Sequence, residues 1–167
     1  MPTVDPADFV RAMARVPAPV TIVTTVDAAG RRWGFTASSF SSLSLDPPLV
    51  LVCPARTASC HDAFVTADRF LVNVLAAGHT GIAKAFARSG HDKFTGSAME
   101  PCEAGLPGLR DATARIACAL HDVADGGDHS ILVGRVLSVS VGPAEPMVYC
   151  DRRFTRPGVS PALASTP

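Results

Sequence analysis

The hydrophobic positions of the chain fall mostly in short runs rich in β-branched residues, and turn residues separate these runs. Such runs are typical of β-strands. The run PVTIVTTV, for example, ends at the turn sequence DAAG at 27–30, which favours a hairpin. The pattern predicts about seven or eight strands, seven of which lie at residues 18–26, 31–38, 49–53, 69–75, 114–122, 130–141 and 147–154.

Three segments instead show helical signals, at residues 5–15, 57–66 and 80–88. Asp5 is expected to cap the first helix, and either Thr57 or Ser59 the second, because short polar side chains accept the free amides of a first turn. We expect a serine-rich loop at 39–48. Glycines and prolines interrupt residues 89–109, which predicts a long surface excursion there.

The predicted strands follow one another as hairpins, and no GxGxxG sequence follows a strand. The expected fold is therefore an antiparallel barrel with helices packed outside it. A dinucleotide, if one binds, would not bind as in a Rossmann fold. Residues 1–156 are expected to form a single domain, and the Pro-, Ser- and Ala-rich residues 157–167 a disordered tail.

The chain has 167 residues, of which 47% are hydrophobic and 18% charged, and its formal net charge is zero. The lack of net positive charge argues against a nucleic-acid partner, and the composition weakly indicates self-association. Five cysteines without a CxxC pair, and no signal-peptide pattern, favour free thiols in the cytoplasm. No apolar run reaches the ~18–20 residues that span a bilayer, so no membrane association is expected.

Hydroxyl residues dominate segment 34–44, GFTASSFSSLS. Short hydroxyl side chains and free backbone amides at a strand end suit an anion or the edge of a heteroaromatic ring. A plain serine-rich loop is the competing interpretation. Segment 53–61, CPARTASCH, leaves a strand and opens a helix, whose free amides and positive dipole end suit a phosphate. Arg56 could add charge there, and an ordinary capped helix is the alternative.

Two further segments carry candidate side chains. The sequence GGDH at 126–129 places His129 at a turn, where it either donates a hydrogen bond to a ligand or is merely solvated. Segment 148–154 contains the single tyrosine, Tyr149, and is otherwise a strand with a charged edge. The five histidines lack metal-ligand spacing, and neither HExxH nor GxSxG is present. The sequence therefore predicts no metal site and no nucleophilic serine elbow.

Taken together, these segments resemble the short-chain flavin reductase family. The matching pieces occur in the family's order within residues 10–154: RVPAPVTIVTT, GFTASSFSSLSLDPPLVLVC, ARTASCHDAF, RFLVNVL, IAKAFAR followed by DKFTG, GDHSILVGRVL and MVYCDRRF. The resemblance implies a mainly β fold, the flavin-binding antiparallel split β-barrel with a few short peripheral helices. The wording LVCPART and YCDRRF is most similar to that of actinomycete reductases that serve antibiotic pathways.

The resemblance also implies a site. The flavin would be held by short polar side chains and backbone groups of Thr36, Ala37, Ser38, Ser39, Cys53, Pro54, Ala55 and Ser59, and Lys93 and Phe94 would close the site. Ser59 would reach the phosphate. The nicotinamide would lie near His129 and Asp128, with Tyr149 and Arg153 as further candidates. No side chain is expected to act as a catalytic acid or base, because hydride passes directly between the two cofactors.

The implied activity is the reduction of FMN or FAD by NADH, in preference to NADPH. The implied assembly is a cytoplasmic homodimer with flavin at the subunit interface, which supplies reduced flavin to a partner monooxygenase. One position departs from the family pattern: Cys60 stands where a hydroxyl is common, and a thiol is a weak hydrogen-bond donor.

Three rival interpretations are open. The chain could be a flavin-binding oxidase of the related pyridoxamine-phosphate oxidase group, although the GDH and TASSFSS pieces count against it. It could bind flavin without turnover. It could be a structural barrel without a ligand, although the four candidate segments, 34–44, 53–61, 126–129 and 148–154, argue against this.

Overall fold

The computed structural model describes residues 4–158. The predicted tail lies almost entirely outside the described residues. Three α-helices are present in the described chain: α1 (Pro6–Ala14), α2 (His61–Val65) and α3 (Thr80–Ala87). The strands are β1 (Ala18–Pro19), β2 (Thr21–Val26), β3 (Arg32–Ala37), β4 (Ser41–Ser44), β5 (Leu49–Val52), β6 (Arg69–Val74), β7 (Glu100–Pro101), β8 (Pro107–Gly108), β9 (Ala114–Gly126), β10 (His129–Val141), β11 (Val148–Cys150) and β12 (Arg153–Thr155).

One seven-stranded sheet organises the chain, in the order β3-β2-β6-β9-β10-β5-β4. Every neighbouring pair in it is antiparallel, as the succession of predicted hairpins indicates. Two smaller sheets accompany it, β1-β11-β12 and β7-β8. The mainly β, antiparallel prediction with short helices is confirmed.

Two predicted strands are each divided in the structure. The run 18–26 contributes Ala18–Pro19 to the three-stranded sheet and Thr21–Val26 to the large one. The run 147–154 is broken at Asp151 and Arg152, which have φ of 49° and 61°. Such values are rare outside glycine, and Asp151 is the only common turn residue there. The Asp151 amide donates to the Ala14 carbonyl at 2.7 Å, so a distant contact stabilises this turn.

The predicted loop at 39–48 is wrong in part, because Ser41–Ser44 forms strand β4. This strand lies at the edge of the sheet and pairs only with β5, with an irregularity between Ser42 and Ser44. Its first three residues are exposed. An edge strand with neither face fully buried lacks the hydrophobic alternation by which strands are predicted.

The predicted helix at 57–66 is also shorter than expected. Helix α2 spans five residues and begins after Cys60, which makes no side-chain capping hydrogen bond. The prediction that Thr57 or Ser59 caps it is therefore wrong. The capping of α1 is confirmed, because the Asp5 carboxylate accepts the Ala7 amide at 2.7 Å.

Two main hydrophobic clusters fill the interior. In the first, Phe64 of α2 packs edge-on against Phe35 of β3, with ring centroids 4.9 Å apart. In the second, Phe86 of α3 packs edge-on against Phe94 at 5.1 Å. The expectation of a surface excursion at 89–109 is thus wrong in part, because its apolar residues enter the core: Phe94, Met99, Leu106 and Leu109.

Candidate functional site

Two of the candidate segments, 53–61 and 126–129, lie side by side. The chain that leaves β5 continues along β10, so that Ala55 forms an isolated antiparallel bridge with His129. The Ser130 amide donates to the Pro54 carbonyl at 3.0 Å. The structure therefore brings the predicted flavin-edge residues next to the predicted nicotinamide residue, although Ala55 and His129 are far apart in the sequence.

Segment 34–44 contacts segment 53–61 through Ser39. Its hydroxyl accepts the Cys53 amide at 3.0 Å and donates to the Cys53 carbonyl at 3.3 Å. Ser38 beside it is exposed, and its hydroxyl has no hydrogen-bond partner among the described residues. Ser38 can therefore donate to a ligand, whereas the Ser39 hydroxyl already serves the backbone.

The other two predicted flavin residues of segment 34–44, Thr36 and Ala37, face the protein. The Thr36 hydroxyl donates to the Ala83 carbonyl of α3 at 2.6 Å. Ala37 is buried, and its carbonyl accepts the Thr21 hydroxyl at 2.9 Å. Both contacts hold β3 in place beneath Ser38.

An open cavity of about 630 Å³ lies between the β2–β3 hairpin, the start of α2 and the segment after α3. Its walls are residues 30–34, 59–60 and 90–94. The predicted flavin residues Ser59, Lys93 and Phe94 all line it, whereas those from 36–39 and 53–55 do not. The predicted flavin residues thus fall into two groups. Ser59, Lys93 and Phe94 line this cavity, whereas residues 36–39 and 53–55 lie at the β5–β10 junction, where residues 53–55 run beside His129.

Positive charge predominates among the groups lining this cavity. Arg31 lies over the Trp33 ring, 4.1 Å from its centroid, and Arg32 over the Phe94 ring at 4.9 Å. Lys93 adds a third cation, and Asp92 is the single carboxylate in the lining. An excess of cations of this kind suits a phosphate.

The Lys93 ammonium is itself held by the protein. It donates to the carbonyls of Gly34 at 3.1 Å and Phe86 at 2.9 Å. Burial lowers the pKa of Lys93, and negative charge on Cys60, once that thiol ionises, would oppose the change. Burial also raises the pKa of Cys60, so this thiol is a protonated, weak donor at neutral pH.

His129 is paired with Asp128 at the tip of the β9–β10 hairpin. Its Nδ1 lies 2.7 Å from the Asp128 carboxylate, and this hydrogen bond lowers the pKa of Asp128. The pairing leaves Nε2 of a half-exposed imidazole free to face a ligand. Behind it, His61 Nε2 lies 2.9 Å from the hydroxyl of buried Ser130.

Tyr149 and Arg153 lie elsewhere, in the three-stranded sheet. Tyr149 pairs with Ala18 and packs against Phe154, with ring centroids 5.4 Å apart. Neither residue lines the cavity, and neither hydrogen-bonds to the β9–β10 turn within the described residues. The structure therefore does not bring these two candidates to the site.

Sequence reasoning missed several residues of this region. Arg31, Arg32 and Asp92 line the cavity, and His61 supports the strand that carries His129. Two adjacent arginines directly after a predicted hairpin turn were the available signal. Across residues 4–158, no group of His, Cys, Asp and Glu could hold a metal ion, and none of the helices described is long and apolar enough to cross a membrane.

Comparison with known proteins gives a consistent result. The family model for the flavin reductase like domain matches residues 13–158. The chain belongs to the flavin reductase family. It is 43% identical to an NADH:riboflavin 5'-phosphate oxidoreductase of Streptomyces pristinaespiralis, over 98% of this chain and 95% of that protein. It is 37% identical to the reductase subunit of a flavin-dependent monooxygenase from Rhodococcus jostii, over 95% and 80% of the two chains.

The structure of the NADH:FAD oxidoreductase of Streptomyces globisporus, solved with NAD and FAD fragments, superposes with a TM-score of 0.85. That match is 36% identical in sequence and covers 96% of this chain and 98% of that one. The split-barrel fold class expected from the resemblance is thereby confirmed for this flavin reductase.

Proposed function

We propose that this flavin reductase transfers hydride from NADH to FMN or FAD, and that the reduced flavin serves a partner monooxygenase. The observation that carries the proposal is the Ala55–His129 bridge, because it sets a nicotinamide candidate beside the backbone edge of the flavin candidate. The named activities of the relatives support it.

The flavin half of the site is proposed to span the junction and the cavity. Ser38 and the backbone of Cys53, Pro54 and Ala55 offer neutral groups to the ring. Ser39 contributes by holding Cys53, and Thr36 and Ala37 by holding β3. Ser59, Lys93 and Phe94 line the cationic cavity, which suits the phosphate end of the flavin. The residues present therefore fit the cofactor.

Bound flavin and NADH would supply the hydride chemistry themselves. The chain's part is to bind and orient both groups and to exclude water. His129 and Asp128 are proposed to position the nicotinamide. Because no proton moves to or from the nicotinamide in this step, the His129–Asp128 pair is not required to act as an acid or a base.

A homodimer is also proposed. Leu137, Val139 and Val141 point outward from β10 and are more than half exposed. Strand β5 pairs with β10 only over Leu132–Arg135, so beyond Val136 this edge of β10 has no partner strand in the described chain. An exposed apolar edge of this kind favours pairing with a second copy. A location in the cytoplasm is proposed from the free cysteines alone.

The test is NADH oxidation by the purified protein with and without added FMN or FAD. Flavin-dependent loss of NADH absorbance, with little loss when NADPH replaces NADH, is the expected result. Flavin binding without NADH oxidation would identify a non-catalytic flavin-binding protein. Reduction of oxygen without release of reduced flavin would favour an oxidase.

A further inference from the structure

The Arg56 side chain closes over the tip of the β9–β10 hairpin. Its Nε donates to the Gly127 carbonyl at 2.9 Å, and its Nη2 to the Asp125 carboxylate at 2.7 Å. The same carboxylate oxygen accepts the Gly127 amide at 3.2 Å. The Arg56 guanidinium holds the pKa of the Asp125 carboxyl below its usual value. Arg56 and Asp125 therefore remain a charged pair at neutral pH.

The backbone of Arg56 is tied to the same turn. Its amide donates to the Asp128 carbonyl at 2.9 Å, directly after the Ala55–His129 bridge. Residues 121–128 are all exposed, so the tip of this hairpin buries little side-chain surface. The Arg56 side chain thus restrains Asp125 and Gly127, and its backbone amide restrains Asp128.

A phosphate-binding role for Arg56, suggested by its place in segment 53–61, does not fit this geometry. The charge of Arg56 is already neutralised by Asp125, and Arg56 is not among the residues that line the cationic cavity.

We propose that Arg56 is a positioning residue for NADH: it holds the 125–128 turn so that His129 faces the nicotinamide. This inference rests on the proposed role of His129. It goes beyond that role by naming the group that fixes the imidazole, and by assigning a surface ion pair to the kinetics of one substrate.

The first test is Arg56→Gln at saturating FMN. We expect kcat/KM for NADH to fall about tenfold, chiefly through a higher KM, as for loss of a positioning contact. The dissociation constant of FMN should stay unchanged. For Arg56→Lys, kcat/KM for NADH should lie between the values of the wild type and Arg56→Gln. A lysine restores the charge opposite Asp125 but not the second hydrogen bond to Gly127. An unchanged kcat/KM, or weakened FMN binding, would overturn the proposal.

The second test separates action through His129 from direct contact with NADH. In the His129→Ala background, Arg56→Gln should cause no further loss of kcat/KM, because residues that act through one group are not additive. If the fold losses of kcat/KM in the two single variants multiply in the double variant, Arg56 contacts a substrate itself, and the proposal is overturned.

A third measurement does not depend on activity. Amide hydrogen exchange at Gly127 should accelerate in Arg56→Gln, whereas unchanged exchange would contradict the restraint. Arg15→Gln is the matched control, because Arg15 forms a similar exposed pair with Asp151 at 2.9 Å, at the three-stranded sheet. It should alter neither exchange at Gly127 nor NADH kinetics. If the wild-type protein fails to oxidise NADH, the proposed function fails, while the exchange result still decides whether Arg56 holds the turn.

Discussion

The Ser39 hydroxyl and the Cys53 backbone form a reciprocal pair: the hydroxyl accepts the Cys53 amide at 3.0 Å and donates to the Cys53 carbonyl at 3.3 Å. The amide of a residue just beyond the end of β5 is thereby satisfied by the loop that follows β3. This pair connects two of the segments that the sequence singles out, and it gives Ser38 and Ser39 different roles.

Replacing these two serines should therefore have different effects. Ser39→Ala leaves the Cys53 amide and carbonyl without a partner, so the free energy of unfolding should fall by about 1–3 kcal/mol, and flavin affinity should fall as well. Ser38→Ala should weaken flavin binding and leave stability unchanged, because the hydroxyl is exposed. Urea unfolding and flavin titration of both variants check this. Equal stability losses in the two would show that the assignment is wrong.

His129→Ala should impair NADH use and spare flavin binding. Loss of a positioning contact is expected to lower kcat/KM for NADH by about ten- to a hundredfold. Flavin affinity should barely change, because the proposed flavin contacts belong to other segments. NADH kinetics and flavin titration are run side by side. A collapse of flavin affinity with normal NADH kinetics at saturating flavin would place His129 in the flavin half of the site.

Gly34→Ala should destabilise the fold. A Cβ there would lie 2.8 Å from the Phe86 ring and 3.2 Å from the Val23 carbonyl. Overpacking of this kind costs about 1–3 kcal/mol. Gly81→Ala is the control: nothing lies within 4 Å of its added Cβ, and it sits in the first turn of helix α3, where alanine is favoured over glycine. In thermal unfolding, the midpoint temperature should fall for Gly34→Ala and rise for Gly81→Ala.

The Asp92 carboxylate should stabilise the protein in a pH-dependent manner. Hydrogen bonds from the Thr95 hydroxyl and the Phe94 and Thr95 amides lower its pKa from 3.8 to about 2. Since the folded-state pKa is below the unfolded one, the contribution is complete above pH 3.8 and is lost as the pH falls through about 2.

The measurement is the difference in free energy of unfolding between the wild type and Asp92→Ala as a function of pH. The wild type should be the more stable at neutral pH, and the difference should shrink below pH 3.8. Asp68→Ala controls for the loss of an exposed carboxylate. A difference that does not vary with pH would mean that Asp92 does not hold this loop as a carboxylate.

Val139→Lys should disrupt the proposed homodimer. A lysine in the exposed apolar row of β10 would put a charge into a desolvated interface, which is costly. Light scattering should show a dimer for the wild type and a monomer for the variant. A monomeric wild-type protein with flavin bound would contradict the proposal.

The sequence alone determined the local elements of this protein. The β-branched runs, the DAAG turn at 27–30 and the Asp5 cap depend on residues within a few positions of one another, so the pattern predicts them correctly. The motifs GFTASSF and GDH likewise identified the family without coordinates. Local signals failed where a distant contact decides, as at the Asp151 turn, which the Ala14 carbonyl stabilises.

Only the tertiary structure decided how the candidate residues combine. A strand-like bridge joins Ala55 to His129, and side-chain hydrogen bonds tie Ser39 to Cys53 and Arg56 to Asp125, 69 positions away. The cationic cavity is assembled in the same way, from three separate parts of the chain. Periodicity shows which face of a strand is buried. It does not show which strand lies beside it, because pairing and register depend on the packing of the whole core.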